Sequence, residues 1–387
     1  MHQPTPVSRP FWTPGVVTMV FFMFAGGVAL LVRLIWGLGY ATNLSNTSPW
    51  GIWIGVDVAS GVALAAGGFT TAALAHIFGR HLYESITRPA LLTAALGYTF
   101  VAIGVGIDIG RPWAIWKPIL FQNHNSALFE VAMCVMTYVT VLWIEMIPAL
   151  ARRFKDRIPL LGRLDRSLGK VMWVFIILGV VLSCMHQSSL GTLMVLAPTK
   201  IHPLWYSQFL PLLFLLSAFA VGYPMVIVET TLATSSLRLE DEMKVLSRLS
   251  RFTIVLLGLY LAVKLGDLMA RDAFGLMFAG TAESNSFLVE LGLGAVVPWV
   301  LLLFPSVRSS RRSLFIVALF IVGGVLLNRV NVFVVAYSPQ TGSAPYSPSV
   351  AEVLITLGAV ATIMFLYRVF VSSVPIISAK KLEEVSP

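Results

Sequence analysis

An all-α polytopic membrane protein of about ten transmembrane helices is the fold class this sequence predicts. Three observations carry it: the composition, the length of the apolar runs, and the placement of Lys and Arg. Hydrophobic residues make up 57% of the chain and charged residues only 12%. A soluble domain carries about 25% charged residues. A chain so poor in charge has too little polar surface to face water, so its helices must face lipid.

The apolar runs recur with short polar breaks, and most exceed the roughly 20 residues that a bilayer core requires. They read as Gly15–Trp36, Gly51–Phe78, Arg88–Ile109, Ala127–Pro148, Gly169–Val195, Phe209–Ser235, Phe252–Ala270, Ser286–Phe304, Ser313–Phe333 and Val350–Phe370, together one transmembrane domain over 1–387. Pro4, Pro6, Pro10 and Pro14 punctuate the segment before the first run. It lacks the short apolar core and small-residue cleavage site of a removable signal peptide. The first run is long enough to span.

Lys and Arg divide unequally between alternate loops. One set holds Arg9, Arg80, Arg88, the seven from Arg152 to Lys170, Arg238, Lys244, Arg248, Arg251, Arg308, Arg311, Arg312, Arg368, Lys380 and Lys381. The other holds Arg111, Lys117, Lys200 and Arg271, a bias of 20 to 4. By the positive-inside rule both termini are expected in the cytoplasm, with the chain in a bacterial inner membrane. The net charge of +9 is then a topology signal. A nucleic-acid partner would need one clustered basic face, which this distribution lacks. The opposite loops are poor in charge and carry Trp113, Trp116, Asn123, His124, Asn125, His202, Pro203 and Trp205. Part of that is the ordinary interface belt, and part suits a platform for a partner protein.

Cysteine and histidine bound the cofactors. Cys134 and Cys184 are the only thiols, both inside spans, so four thiolates for an iron–sulfur cluster are lacking. Of six histidines only His76 and His186 fall within spans, at opposite depths. Two axial ligands of one haem must share a depth, so the expectation is a chain with no haem and no metal of its own.

What remains is a set of ionisable groups at membrane depth, costly there and functional by default. Arg33, Asp57, Asp108, Glu130, His186, Lys264, Asp267, Glu290 and Arg329 belong to the half away from the basic loops, and Glu145 and Glu229 to the near half. Tyr98 falls between. Lys264 with Asp267, and Asp108 with Arg111, have the spacing of structural pairs. Arg329 and Asn331 suit neighbouring carbonyls. The run Met185-His186-Gln187-Ser188-Ser189 is too polar for an ordinary apolar helix and reads as the lining of a site. Glu130 and Glu145 are fifteen residues apart, roughly 22 Å of rise and within about 60° of one helix face. Two carboxyls so disposed suggest a proton path. Two classes fit these residues: a redox subunit whose quinone site exchanges protons, and a transporter using a carboxylate relay.

Several ordered motifs add a resemblance. Pro49-Trp50-Gly51-Ile52-Trp53-Ile54-Gly55-Val56-Asp57, Arg88-Pro89-Ala90-Leu91-Leu92, Gly97-Tyr98 and Ile107-Asp108-Ile109-Gly110-Arg111 come first in the chain. Leu128-Phe129-Glu130, the His186 run with Gly191, and His202-Pro203-Leu204-Trp205 follow. From about Trp36 to about Tyr346 the chain resembles the NrfD/polysulfide-reductase family of membrane anchors. Within it, the chain is most similar to the membrane subunits of hydrogenase-2-type nickel–iron hydrogenases. The Asn328-Arg329-Val330-Asn331 run looks more like anchors of cytochrome-linked complexes.

The resemblance implies two packed four-helix bundles with peripheral helices, and no haem. It implies a periplasmic iron–sulfur subunit and a catalytic subunit, a nickel–iron hydrogenase, that pass electrons to menaquinone or ubiquinone. The alternative is the anchor of a molybdenum enzyme or multihaem-cytochrome complex. His186, Tyr98 and Arg111 are the candidate donors to the quinone carbonyls, with Asp57 and Glu130 orienting them. Glu130, Glu145, Glu229 and Tyr98 are the candidate proton carriers. The charge bias itself is testable. A cysteine placed in the Arg152–Lys170 loop should react with an impermeant maleimide only after the cells are opened, and labelling in intact cells would reverse the orientation.

Overall fold

In the computed structural model the described residues are 6–7, 10–338 and 346–377. Pro4, Arg9, Lys380 and Lys381 lie outside them. Ten helices are long and apolar enough to cross a membrane. They are α1 (Pro14–Trp36), α2 (Trp53–Ile77), α3 (His81–Asp108), α4 (Ala127–Phe154) and α5 (Met172–Val195), then α6 (Leu210–Leu237), α7 (Met243–Ala270), α8 (Ala282–Leu303), α9 (Arg311–Val335) and α10 (Val350–Ser373). A short helix, Pro159–Leu168, joins α4 to α5. The one strand-like pairing among these residues is an isolated bridge between Ile201 and Tyr337. α4 runs on past Pro148 to Phe154. The apolar run stops earlier, but the last turns leave the bilayer at the basic end, where Arg152 and Arg153 are solvated.

The helices pack as two groups of four with two outliers. α2, α3, α4 and α5 form one bundle, α6, α7, α8 and α9 the other, and α6 also packs on α2 and α5. α1 and α10 pack on each other at the periphery; α10 leans on α3 and α2, and α1 reaches the end of α3 through Arg33. Burial ranks them the same way: 83% of the α2 window and 72% of the α6 window are buried, against 17% for α1 and 22% for α10.

Small residues set these distances, because lipid gives helices no hydrophobic drive to associate and close van der Waals contact must supply it. On α2 a Cβ at Gly67 would reach 2.8 Å from Val226 of α6 and 3.0 Å from the Gly222 carbonyl. Gly68 meets Ala90 and Ala94 of α3 in the same way. In the second bundle Gly294 of α8 faces Gly324 of α9, backbone to backbone. Gly26 and Gly358 do the same for the outer pair α1 and α10.

The helix ladder widens where polar residues must be accommodated. α2 is π-helical over Trp53–Ser60 and again over Ala73–Ile77. α8 and α9 carry π-turns at Gly292–Val296 and Asn331–Val335. Such turns concentrate at functional positions, and Asp57 and Asn331 sit in two of them. The Gly294 contact makes a prediction. Gly294→Leu should overpack α8 against α9 and cost about 1–3 kcal/mol, read as a lowered melting temperature in detergent. Gly292→Leu, where an added Cβ meets nothing within 4 Å, should leave it unchanged.

Candidate functional site

Three polar assemblies lie at membrane depth, and they divide the candidate residues. The first runs between α3, α4 and α5. The Tyr98 ring meets Tyr138 edge-on at 4.4 Å between centroids and stands 5.6 Å from the His186 ring. Tyr98, Tyr138, Ser183, His186 and Gln187 are all fully buried. Gln187 donates to the carbonyl of Val62 at 2.8 Å. Its oxygen, both tyrosine hydroxyls, the Ser183 hydroxyl and both His186 nitrogens have no partner. Ser183 and Gln187 lie within reach of the Tyr98 hydroxyl, but no well-directed bond forms. Leaving one such group unpaired is costly. So many in one place mark a site shaped for water or protons.

The two carboxyls of α4 bracket this cluster. Glu130, in the first turn of α4, is exposed at the aromatic end and accepts a short hydrogen bond from the Ser189 hydroxyl of α5. Near the basic end, the Glu145 carboxyl abuts Gly179 of α5. Because α4 is unbroken from Ala127 to Phe154, both carboxyls turn toward α5, with the tyrosines and His186 between them. Tyr138 and Ser183 are not among the residues that the sequence singles out. Tyr138 lies seven residues before Glu145, within about 20° of one face of α4, and that spacing was the signal available.

The second assembly is a cavity of about 550 Å³ enclosed by α1, α2, α3, α6 and α10. Its walls are mostly apolar, with Met19, Met23, Gly104 and Phe100 among them. Asp57 lines it and accepts from Thr356 of α10 at 2.8 Å. Glu229, Thr93 and Tyr367 line it nearer the basic end, the last two beside the Glu229 carboxyl. α3 is the partition: Thr93 and Gly97 face the cavity while Tyr98 faces the first assembly. Glu229 therefore stands apart from Glu130 and Glu145. Of the candidate quinone ligands Asp57 alone lines the cavity; Tyr98 and His186 are behind the partition. Arg111 is exposed on the aromatic end.

The third assembly belongs to the second bundle and is bonded at its centre except for Arg329 Nε, which has no partner among the described residues. Glu290 accepts from Trp205 at 2.8 Å, Asn328 at 2.6 Å and Asn331 at 2.8 Å. Arg329 donates to Asn328 at 2.6 Å, to Ser217 at 2.8 Å and to the Phe214 carbonyl at 3.1 Å, and stacks 3.8 Å from the Phe214 ring. Asn331 thus serves a carboxylate, not a carbonyl.

Three expected placements change. Asp267 pairs with Arg271 at 2.8 Å, one turn on, while Lys264 stands over the Phe287 ring at 5.2 Å. Asp108 has no bond to Arg111 among the described residues. Arg33 of α1 instead donates to the carbonyls of Ile107 and Ile109 at 3.0 and 2.8 Å, capping α3 beside Asp108. Trp205 is fully buried, so the exposed aromatic surface is Trp113, Trp116 and Phe121, with Leu120.

The model of the family described as Polysulphide reductase, NrfD matches residues 40–339. The chain belongs to the NrfD family. Among its relatives, the probable Ni/Fe-hydrogenase 2 b-type cytochrome subunit of Escherichia coli K12 is 36% identical over 98% of this chain and 96% of its own. The menaquinone reductase integral membrane subunit of Nitratidesulfovibrio vulgaris is 27% identical over 91% of this chain and 90% of its own. A subunit of the selenate reductase of Mesobacillus selenatarsenatis is 22% identical, covering 93% of each.

The first of these names overturns the expectation of a chain without haem, since that relative is called a b-type cytochrome subunit. The depth argument addresses only a haem held between two histidines, and leaves a single-histidine haem open. His76 is exposed in the last turn of α2, far from His186. His186, with both nitrogens free, is the side chain that could serve as an axial ligand. Its ring is sealed against Tyr98, and among the described residues no histidine lines the 550 Å³ cavity. The packing offers a ligand atom without a porphyrin slot, and so does not fit the group.

The third assembly predicts its own test. Glu290→Ala would strand three donors beside a buried guanidinium and should destabilise the protein by about 3–5 kcal/mol. Glu290→Gln, which keeps the acceptor, should cost less. Equal melting temperatures for the two variants would refute the network's structural role.

Proposed function

We propose that the chain is the quinone-reactive membrane subunit of a hydrogenase-type oxidoreductase, with menaquinone or ubiquinone reacting in the cavity beside Asp57. The observation that carries this reading is the cavity itself. It is apolar, at membrane depth, about 550 Å³ in volume, and polar at only a few points. Quinone sites need an apolar slot with one or two groups to address the ring oxygens. Family membership supports the class of reaction, and one relative is named a menaquinone reductase subunit. The identity of 36% to a hydrogenase subunit, against 22% to a selenate reductase subunit, favours hydrogenase partners over a molybdenum-type complex. The transporter reading loses its motive, since each relative named above is an oxidoreductase subunit.

In this reading the basic end is cytoplasmic. The exposed Trp113, Trp116, Leu120 and Phe121 receive a periplasmic iron–sulfur subunit, which passes on electrons from the catalytic subunit. Reduction of one quinone takes two electrons and two protons. Asp57, steadied by Thr356, presents a carboxyl to the ring from α2. The line from Glu145 through Tyr138, Ser183 and His186 to Tyr98, with Glu130 at its aromatic end, carries protons to α3, and water passing beside Gly97, which lines the cavity, hands them on to the quinone. His186 and Tyr98 then act as relay groups behind the partition and do not touch the ring. Glu229, with Thr93 and Tyr367, is a separate proton donor at the cavity's basic end.

The test uses the purified complex with two acceptors. A soluble dye takes electrons from the partner subunits directly, whereas a short-chain quinone takes them from the iron–sulfur subunit only when seated in this chain's cavity. Gly104→Leu, whose side chain would grow toward Asp57, should raise the KM for quinone about tenfold, or ~1.4 kcal/mol. His186→Ala and Glu145→Gln should lower kcat for quinone by about a hundredfold, the range of a lost proton-transfer group. Dye reduction should be unchanged in all three. Normal quinone kinetics in Gly104→Leu would remove the quinone from this cavity.

A further inference from the structure

The connection between α4 and α5 carries a helix of its own. Its helix, Pro159–Leu168, sorts its residues by chemistry. At about 100° per residue, Leu160, Leu161, Leu164 and Leu168 share one side, and Arg163 and Arg166 the other. Leu160 is 56% exposed and the preceding Ile158 48%, so this apolar side is not covered by the bundle. The helix is tethered at both ends to spanning helices, which fixes it at the level of the lipid headgroups. One turn beyond it, Trp173 is exposed on α5, at the depth where tryptophan anchors a helix to the interface.

The charges around it are one-sided. Between Arg152 and Lys170 seven basic residues stand against Asp156 and Asp165, and all seven are exposed. At the root of α4, Arg152 is close enough to Arg88 of α3 for the two to repel, and Glu84 offsets part of that. One guanidinium nitrogen of Arg88 is buried and has no acceptor among the described residues. Two neighbouring arginines, one lacking an acceptor, at the end of α4 from which a helix with an uncovered leucine face follows, call for an anion that also carries apolar chains. Basic amphipathic helices lying in the interface bind such lipids through both features.

We infer that the helix Pro159–Leu168, with Arg152 in the last turn of the α4 helix that leads into it and Arg88 near Arg152, is a binding site for an anionic phospholipid of the leaflet at the basic end. The phosphate answers the arginines, and the acyl chains lie against the leucines. An acidic segment of a partner protein would satisfy the arginines but leave the leucine face uncovered. The lipid is therefore the occupant that both halves of the site favour.

The experiment places the full chain, in complex with its native partners, in nanodiscs of phosphatidylcholine containing a tenth phosphatidylglycerol. The readout is phospholipid retained after re-extraction in mild detergent, measured by native mass spectrometry. The wild type should retain phosphatidylglycerol in clear excess over its share of the disc. Arg152→Gln with Arg163→Gln and Arg166→Gln should reduce that excess at least fivefold. Leu160→Ser with Leu164→Ser should reduce it as well, with every charge in place. Melting temperatures within a few degrees of wild type would show that both variants are folded. If either is unfolded, titration of the wild type decides: phosphatidylglycerol but not phosphatidylcholine should raise its melting temperature. Retention in proportion to the disc composition, or unchanged retention in both folded variants, would overturn the proposal. So would hydrogen exchange showing the helix protected by a partner subunit in lipid-free complex.

Discussion

The approach of α2 to α3 and α6, through Gly67, Gly68, Gly222 and Ala94, is the contact on which the rest of the bundle depends. Lipid is as apolar as leucine, so spanning helices gain nothing by merely hiding apolar side chains from it. They gain by touching closely, and only residues with little or no side chain allow that. Once α2 is held at the centre, the first bundle closes around it and α6 joins the second. α1 and α10 are left outside, pinned to each other by Gly26 and Gly358. The 550 Å³ cavity is the space between that outer pair and the core.

The polar assemblies differ in a way that separates structure from chemistry. Glu290 takes three donors and Arg329 reaches three acceptors. A network in which Arg329 Nε alone is left open among the described residues holds α6, α8, α9 and the Trp205 segment in one arrangement. Tyr98, Tyr138, Ser183 and His186 form the opposite case. They are as deeply buried, yet their polar atoms are unpartnered. Groups left open inside a membrane are costly, which is why the proposed proton line is placed in this bundle and not in the better-bonded one.

The histidines show where an argument from depth stops. Two residues at different depths exclude a shared ligand pair, and His76 and His186 are indeed far apart. That says nothing about one histidine acting alone, and a relative named as a b-type cytochrome subunit makes the single-histidine case the relevant one. A ligand atom and a slot are separate requirements, and His186 meets only the first.

The sequence by itself determined the number of spans, the sidedness of charge and the list of polar residues inside the membrane. Those depend on run length and composition, which are local. It also carried the common face of Glu130 and Glu145, because one unbroken helix converts spacing into geometry. Only the tertiary structure decided which of these residues meet. The partition by α3 separates Tyr98 from Asp57, and Glu229 from Glu145. The choice of Arg271 over Lys264 as partner of Asp267, and the burial of Trp205, were equally invisible in the chain. Tyr138, Tyr367 and Thr356 became site residues only when distant helices packed. Helix rotation and contact order arise from glycine-mediated approaches between segments far apart in sequence, and no window of neighbouring residues contains that information.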